Sequence, residues 1–97
     1  MKVSDVTLQN VIDFLRIDDA SEIEENEISA MMVAAKQFIM GYTGLSETEL
    51  DEHEDITIAY QVYIADLFDN RNAQTDKPTY VNRTVQSILS LYRQNLL

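Results

Sequence analysis

Apolar residues recur at helical spacing in the first half of the chain. Leu8, Val11, Ile12 and Leu15 form one stripe, which predicts a helix from Thr7 to Leu15 capped by Ser4 or Thr7. A longer stripe predicts a second helix from about Glu22 to Tyr42, and its members are Ile28, Met31, Met32, Ala35, Phe38, Ile39 and Tyr42. Ser21 with Glu24 is a capping box at its start, and Gly44 is a left-handed stop residue after its end.

The second half also shows apolar residues at helical spacing. It follows an acidic connection from Leu45 to Asp55, in which Leu50 is expected to point inward. A third helix is predicted from Asp55 to about Asn70, with apolar positions at Ile56, Ala59, Tyr60, Tyr63, Ile64, Leu67 and Phe68. Residues 72–79, which include Pro78, are predicted to form a polar loop. Asn82 caps a fourth helix whose apolar side holds Val85, Ile88, Leu89 and Tyr92. The predicted fold class is all-α, a small bundle of three longer helices and one short one.

Length and composition fit one small domain over residues 1–97. Only two glycines and one proline interrupt the sequence, which favours long helices. The N-terminus lacks the basic and apolar regions of a secretory signal, and the longest apolar run, Ala30 to Ala35, is too short to span a bilayer. We therefore expect a protein made in the cytoplasm, with no membrane partner.

The net charge of −10 is concentrated in the first half of the chain. Residues 1–55 contain fourteen Asp and Glu against three Lys and Arg, and residues 56–97 contain three against four. A field of this sign repels nucleic-acid phosphates, so binding of DNA through its backbone is not expected. A surface past which DNA moves without adhering, or one that mimics DNA, is compatible with this charge.

The sequence offers little for catalysis. His53 is the only histidine, and its acidic neighbours suggest either a divalent-ion site or, as we favour, an exposed loop before a helix N-terminus. The chain has no cysteine, no Gly-x-Ser-x-Gly elbow and no phosphate-binding glycine loop. We therefore predict no enzyme activity, no metal and no cofactor.

Some residues have two interpretations. Met31 and Met32 with Phe38 fit a plastic partner-binding groove or, as we favour at this spacing, the core. Arg71 and Arg93 follow two helices, where they either complement the helix dipoles or pair with carboxylates of this chain or a neighbouring subunit. Tyr80 is the best candidate for an exposed aromatic anchor.

Four segments together resemble the head–tail connector, or DNA-packaging adaptor, family of tailed phages and prophages. They are the helix exit at residues 14–19 (FLRIDD), the helix end at residues 34–44 (AAKQFIMGYTG), the segment at residues 65–71 (ADLFDNR) and the closing segment at residues 88–93 (ILSLYR). The order and spacing match over nearly the whole chain. Phe68 stands where the family usually has a tyrosine, and Pro78 lies further before the last helix than the family's proline.

The resemblance implies a structural virion protein at the head–tail junction. Such a subunit forms a homo-oligomeric ring beneath the portal protein, extends the DNA conduit, and contacts a tail or head-completion protein. DNA passes through without sequence-specific binding. Candidate residues for subunit or partner contacts are Arg16, Asp18, Arg71, Tyr80, Arg83 and Arg93. Pairing of the acidic first half with Arg71 or Arg83 of a neighbouring copy is the specific hypothesis.

A second function class is also compatible with the charge. An acidic DNA mimic, or another small regulatory protein, would occupy a basic site on its target. It would act as a monomer or dimer, and its carboxylates would be spaced like phosphates.

Overall fold

The computed structural model describes residues 1–71 and 82–93, and these residues form five α-helices. After a 3₁₀ turn at Val3–Asp5, the helices are α1 (Leu8–Leu15), α2 (Glu22–Thr43), α3 (Glu47–Leu50), α4 (Glu54–Asp69) and α5 (Arg83–Ser90). The described part of the chain contains no strand, so the predicted all-α class is confirmed. The two long helices are α2 and α4. The predicted loop at residues 72–79 lies outside the described residues.

Short polar motifs determine where the helices begin and end. Thr7 and Ser21 each accept a hydrogen bond from the backbone N–H three residues on, and the side chain at that position bonds back, so both helices begin with a capping box. The Asn82 side chain caps α5. Gly44 has a φ of 78° and ends α2 in the left-handed conformation, as predicted.

One helix was not predicted. The acidic connection contains α3, whose start is a third capping box, Ser46 with Glu49, at the same spacing as Ser21 with Glu24. Leu50 at the end of α3 is fully buried, as expected. The remaining carboxylates of this segment stay exposed, except for the half-buried Asp51 and Asp55.

The core is built on the contact between α2 and α4. Ile28, Ala35 and Ile39 from α2 and Ile56, Tyr60 and Ile64 from α4 are all at most 2% exposed. The Tyr60 hydroxyl donates a hydrogen bond to the Met32 carbonyl, and the Tyr63 ring stacks on Phe38 at 4.6 Å between centroids. The two helices run antiparallel, since Arg71 at the end of α4 reaches Glu24 and Glu27 at the start of α2.

The other two helices of the bundle lie on opposite sides of this pair. Both α1 and α5 contact α2 and α4. The N-terminal segment joins on the α1 side, where the Thr57 hydroxyl donates to the Met1 carbonyl, and α5 joins on the side of Asp55, which accepts from Tyr92. The shortest dimension of the molecule is 18 Å, which corresponds to two layers of helix.

Two polar contacts attach the N-terminal segment and the residues after α5 to the rest of the fold. The Ser4 backbone N–H and hydroxyl both donate to the Asp51 carboxylate, at 3.0 and 2.6 Å, and these bonds hold the pKa of Asp51 below its ordinary value. The Tyr92 hydroxyl donates to both oxygens of Asp55, which raises the pKa of Tyr92. The His53 ring packs on the Tyr92 ring at 4.2 Å.

Thr43 provides a test of the α2 C-terminus. It is fully buried, its hydroxyl donates to the Ile39 carbonyl at 2.7 Å, and it accepts from the Leu45 N–H at 3.2 Å. Thr43→Val keeps the shape but leaves the Leu45 N–H without its partner. We expect the free energy of unfolding, measured by urea denaturation, to fall by about 1–3 kcal/mol. The same substitution at the exposed Thr48 is the control, and equal effects at both sites would contradict this account.

Candidate functional site: two uncharged helix faces

Carboxylates are absent from the middle of both long helices. Residues 28–43 of α2 contain only Lys36, and residues 56–65 of α4 contain no charged residue, in a chain that is 25% charged. The carboxylates lie instead at the helix ends, with Glu22, Glu24 and Glu25 in the first turn of α2 and Glu54 and Asp55 in the first turn of α4. A large part of the surface of a strongly acidic protein is therefore uncharged.

The outer side of α2 presents an exposed row of uncharged residues, here called the α2 face. Its seven members lie within one continuous sector of the helix and are Ile23, Asn26, Ala30, Val33, Ala34, Gln37 and Gly41. Ile23 is 74% exposed and Val33 is 59% exposed. Ile23 and Val33 are the large apolar side chains of α2 that are exposed, and both lie on this uncharged face.

A groove runs along each side of the α2 face. One groove, of about 550 Å³, separates α2 from the C-terminal half of α4. Its walls contain apolar and charged side chains, which are Ala30, Met31, Ala34, Tyr63 and Leu67 together with Glu27, Asp66 and Arg71. The other, of about 410 Å³, separates α2 from the N-terminal segment, and Val3, Met32, Val33 and Met40 line it together with Lys36. The α2 face is thus a ridge between two grooves, the shape that a second helix packs against.

The α2 face contains a glycine that the fold does not require. A Cβ atom placed on Gly41 would meet no atom within 4 Å apart from its chain neighbours and the backbone of its own helix. Glycine inside a helix costs about 0.5–1 kcal/mol relative to alanine. The space beside Gly41 is open to solvent in the described part of the chain, so packing within the fold does not explain this glycine.

The middle of the outer side of α4 is also uncharged, between Glu54 and Asp69. Ile58, Gln61, Val62 and Ala65 share one sector of the helix and are here called the α4 face. Ile58 is 53% exposed, whereas the other three are half-buried. Because α2 and α4 pack against each other through their buried sides, the α2 face and the α4 face lie on opposite surfaces of the two-layered molecule.

Among the residues chosen from the sequence, Arg71 is engaged within its own chain. Its guanidinium lies 3.7 Å from the centroid of the Phe68 ring and donates to the Phe68 carbonyl at 2.9 Å. It also lies 3.6 Å from the Glu27 carboxylate and 4.0 Å from the Glu24 carboxylate. Both interpretations of Arg71 therefore hold in this structure, since it binds the carbonyl end of α4 and pairs with carboxylates inside the fold.

The other candidates do not converge on one place. Arg16 is exposed and ends α1 with a φ of 60°, and Asp18 is exposed in the turn that follows. Arg83 is exposed at the first position of α5. Arg93 lies three residues beyond the end of α5, with its guanidinium 5.2 Å from the Tyr42 ring centroid. Tyr80 lies outside the described residues.

The remaining sequence candidates belong mainly to the core. Met31, Met32 and Phe38 are half-buried and pack against the buried cluster, as favoured, while Met31 and Met32 also line the two grooves. His53 precedes α4 and makes no capping hydrogen bond through its side chain. Within residues 1–71 and 82–93, no group of three or more carboxylate or imidazole side chains is arranged to hold a metal ion.

One carboxylate in the larger groove is shifted toward its neutral form. Partial burial raises the pKa of Asp66, the neighbouring Asp69 raises it further, and a hydrogen bond from the Asn82 side chain opposes the shift. Asp66 lies beside apolar groove walls rather than in open water. Covering the groove with an acidic partner would therefore be unfavourable, and an uncharged partner fits better.

Sequence inspection for charged and aromatic anchors missed the two faces. The signal that identifies them is the lack of charge in residues 28–43 and 56–65 combined with helical spacing. The absence of charge alone does not separate an exposed face from a buried one. Burial in the structure makes that distinction.

The described helices include none that is both long and apolar enough to cross a membrane. No family model matches this sequence, and no curated protein or solved structure matches it either.

Gly41 and Gly44 form a matched pair for testing the role of glycine on the α2 face. We expect Gly41→Ala to raise the free energy of unfolding by about 0.5–1 kcal/mol, because the added methyl group meets nothing and the helix gains propensity. Gly44→Ala should lower it by about 1–2 kcal/mol, because φ is 78° there. Thermal and urea unfolding of both variants measure these changes. Destabilisation by Gly41→Ala would show that the fold itself needs this glycine.

Proposed function

We propose that this protein is a structural assembly subunit that forms a ring through repeated contacts between copies. The observation that carries the proposal is the presence of two uncharged, partly apolar faces on opposite surfaces of a chain with a net charge of −10. A ring requires heterologous contacts, in which one surface of a subunit meets a different surface of the next. A molecule with an adhesive face on each side satisfies this requirement.

More specifically, we propose a head–tail connector subunit of a tailed phage or prophage. The resemblance of four sequence segments, at residues 14–19, 34–44, 65–71 and 88–93, supports this assignment. In that role the subunit binds the portal protein on one side and a tail or head-completion protein on the other, at the head–tail junction of the virion.

The position of the charges is compatible with a DNA conduit. If copies meet through their faces, the ends of the long helices stay uncovered, and these ends carry the carboxylates. Carboxylates on the inner rim of a ring would repel the phosphates of passing DNA and prevent adhesion. The same residues would give no sequence-specific contact.

The arrangement of the carboxylates disfavours the DNA-mimic alternative. A mimic presents free negative groups at the spacing of phosphates, whereas several carboxylates here are occupied inside the fold. Glu24 and Glu49 bond to their helix caps, Asp51 to Ser4, and Asp55 to Tyr92. These four carboxylates are therefore positioned by hydrogen bonds within the fold.

Native mass spectrometry of this chain mixed with the portal protein encoded by the same genome tests the proposal. We expect a complex that contains one copy of this chain per portal subunit, because the ring must match the symmetry of its template. A chain that stays monomeric beside the portal, and instead displaces DNA from a nuclease or repressor, would contradict the connector role and support the acidic inhibitor.

Charge reversal at two arginines tests the pairing between subunits. Arg83→Glu places an acid in the first turn of α5, which the helix dipole favours, so we expect the monomer to fold. Arg83 belongs to neither uncharged face, so loss of the ring with portal is expected only if Arg83 also pairs with the acidic first half of a neighbouring copy. Arg71→Glu instead sets like charges beside Glu24 and Glu27 and removes the contact with Phe68. We expect it to lower the free energy of unfolding by about 1–2 kcal/mol.

Circular dichroism and native mass spectrometry separate these two effects. An Arg83→Glu chain that still assembles with the portal at wild-type stoichiometry would exclude Arg83 from the subunit contact.

A further inference from the structure

We infer that α5 opens and closes on α2 and α4 as one unit, and that the contact between the Tyr92 hydroxyl and the Asp55 carboxylate, here called the latch, holds it closed. The inference concerns a movement within one chain, and it holds whether or not the chain joins a ring. It gives a role to His53, Asp55 and Tyr92, which the proposed contacts between copies do not use.

Two carboxylates of α4 hold the two ends of α5. The Tyr92 hydroxyl, just after the end of α5, donates to Asp55. The Asn82 side chain, at the start of α5, donates to Asp66. Asp55 and Asp66 are separated by three helical turns, about 16 Å along one side of α4, and Asn82 and Tyr92 by about 15 Å of helix. Because the two spacings match, α5 lies antiparallel to α4 with a polar contact at each end.

The latch is a close contact made by one side chain. The Tyr92 hydroxyl lies 2.8 and 2.7 Å from the two oxygens of Asp55. A hydrogen bond to a carboxylate is about twice as strong as one between neutral groups. The His53 ring packs on the Tyr92 ring, with 4.2 Å between the centroids. One hydroxyl and one ring therefore fix the position of the chain just after α5.

Between its two ends, α5 buries few side chains. Val85 and Leu89 are fully buried and Ile88 is half-buried, whereas the other five residues of α5 are exposed. A helix of eight residues is not stable alone in water, because it is too short to recover the cost of nucleation. We therefore expect α5 to be either helical and packed on α2 and α4, or detached and unfolded.

The other long helices keep a common core without α5. Ile28 and Ile39 of α2 and Val11 and Ile12 of α1 belong to one buried cluster with α4. Since α1 contacts both α2 and α4, three helices stay packed when α5 leaves. Opening α5 therefore costs less free energy than unfolding the whole chain, and it uncovers the side of α2 and α4 on which α5 lies.

Ionisation of Tyr92 opens the latch, because a phenolate has no proton to donate and repels the carboxylate. The hydrogen bond to Asp55, desolvation and the charge of Asp55 all raise the pKa of Tyr92. This contribution to the closed state is complete below the ordinary tyrosine pKa, and it is lost as the pH rises through the raised pKa. The titratable groups around Tyr92 are Asp55 of α4, His53 before α4 and Arg93 beside it in the chain.

Hydrogen exchange of backbone amides, followed by NMR on the full chain at neutral pH, measures the opening of α5. Tyr92→Phe removes the hydroxyl of the latch and keeps a ring on His53. Tyr60→Phe is the matched control, because it removes a tyrosine hydroxyl that donates to the Met32 carbonyl across the α2–α4 contact. We expect Tyr92→Phe to speed exchange at residues 86–90 about tenfold.

The amides of Ile39 and Ile64 report on unfolding of the whole chain, because both side chains are fully buried in the α2–α4 contact. We expect Tyr92→Phe to leave their exchange unchanged. Tyr60→Phe should have the opposite pattern, with faster exchange at Ile39 and Ile64 and no change at residues 86–90.

A pH titration tests the ionisation of Tyr92. The methyl NMR signals of Val85 and Leu89 are followed from about pH 8 to about pH 12, across the range in which tyrosines ionise. In the natural chain we expect these signals to move to unfolded positions at a lower pH than the signal of Ile28. In Tyr92→Phe this separate step should be absent.

Three results would overturn the inference. If Tyr92→Phe speeds exchange by one factor at residues 86–90 and at Ile39 and Ile64, α5 opens only with the whole chain. If Tyr92→Phe leaves residues 86–90 unchanged, the Tyr92 hydroxyl does not hold α5. An alkaline step that persists in Tyr92→Phe would assign the opening to another tyrosine. Because these measurements contain no portal protein, their failure leaves the connector role intact.

Discussion

The packing of α2 against α4 is the interaction on which the rest of the structure depends. The buried residues that the two helices contribute to this contact, Ile28, Ala35 and Ile39 against Ile56, Tyr60 and Ile64, exclude water almost completely. Each of the two helices then has an outer side, opposite its buried side, that points away from the core. Because α1 and α5 fill the flanks, those two outer sides become the broad surfaces of a thin molecule. The location of both candidate faces follows from this single contact.

Local sequence was sufficient to predict four of the five described helices, but not the long-range contacts near the two ends of the described chain. Ser21, Gly44 and Asn82 act within a few residues, and each was correctly assigned as a helix start or stop. The contacts of Ser4 with Asp51 and of Tyr92 with Asp55 span 47 and 37 residues, so no local sequence pattern predicts them. The helix α3 is a different case, since the Ser46 and Glu49 spacing was visible but the density of carboxylates favoured a loop.

The candidate site was harder to predict because it is defined by missing charge. Arginines and tyrosines are the residues that sequence patterns favour as interface candidates. Arg71 does make several contacts, but these contacts stabilise its own fold. Ile56 and Ile58 are two residues apart and equally apolar, yet one is fully buried and the other is 53% exposed. Helical spacing places them on different sides of α4, but which side faces the core depends on α2, α1 and α5 together.

In this molecule the carboxylates and the uncharged faces lie in different places, and this separation bears on the proposed assembly. A net charge of −10 keeps free copies apart at distances up to about the Debye length of 8 Å, and it acts without regard to orientation. The attraction between two uncharged faces acts only on contact and only in the correct orientation. A small domain with one helix face per contact gains too little from a single contact to overcome this repulsion readily. In the proposed ring, such a subunit would stay dispersed until a template held several copies side by side, and it would then assemble in one orientation with its carboxylates turned to solvent.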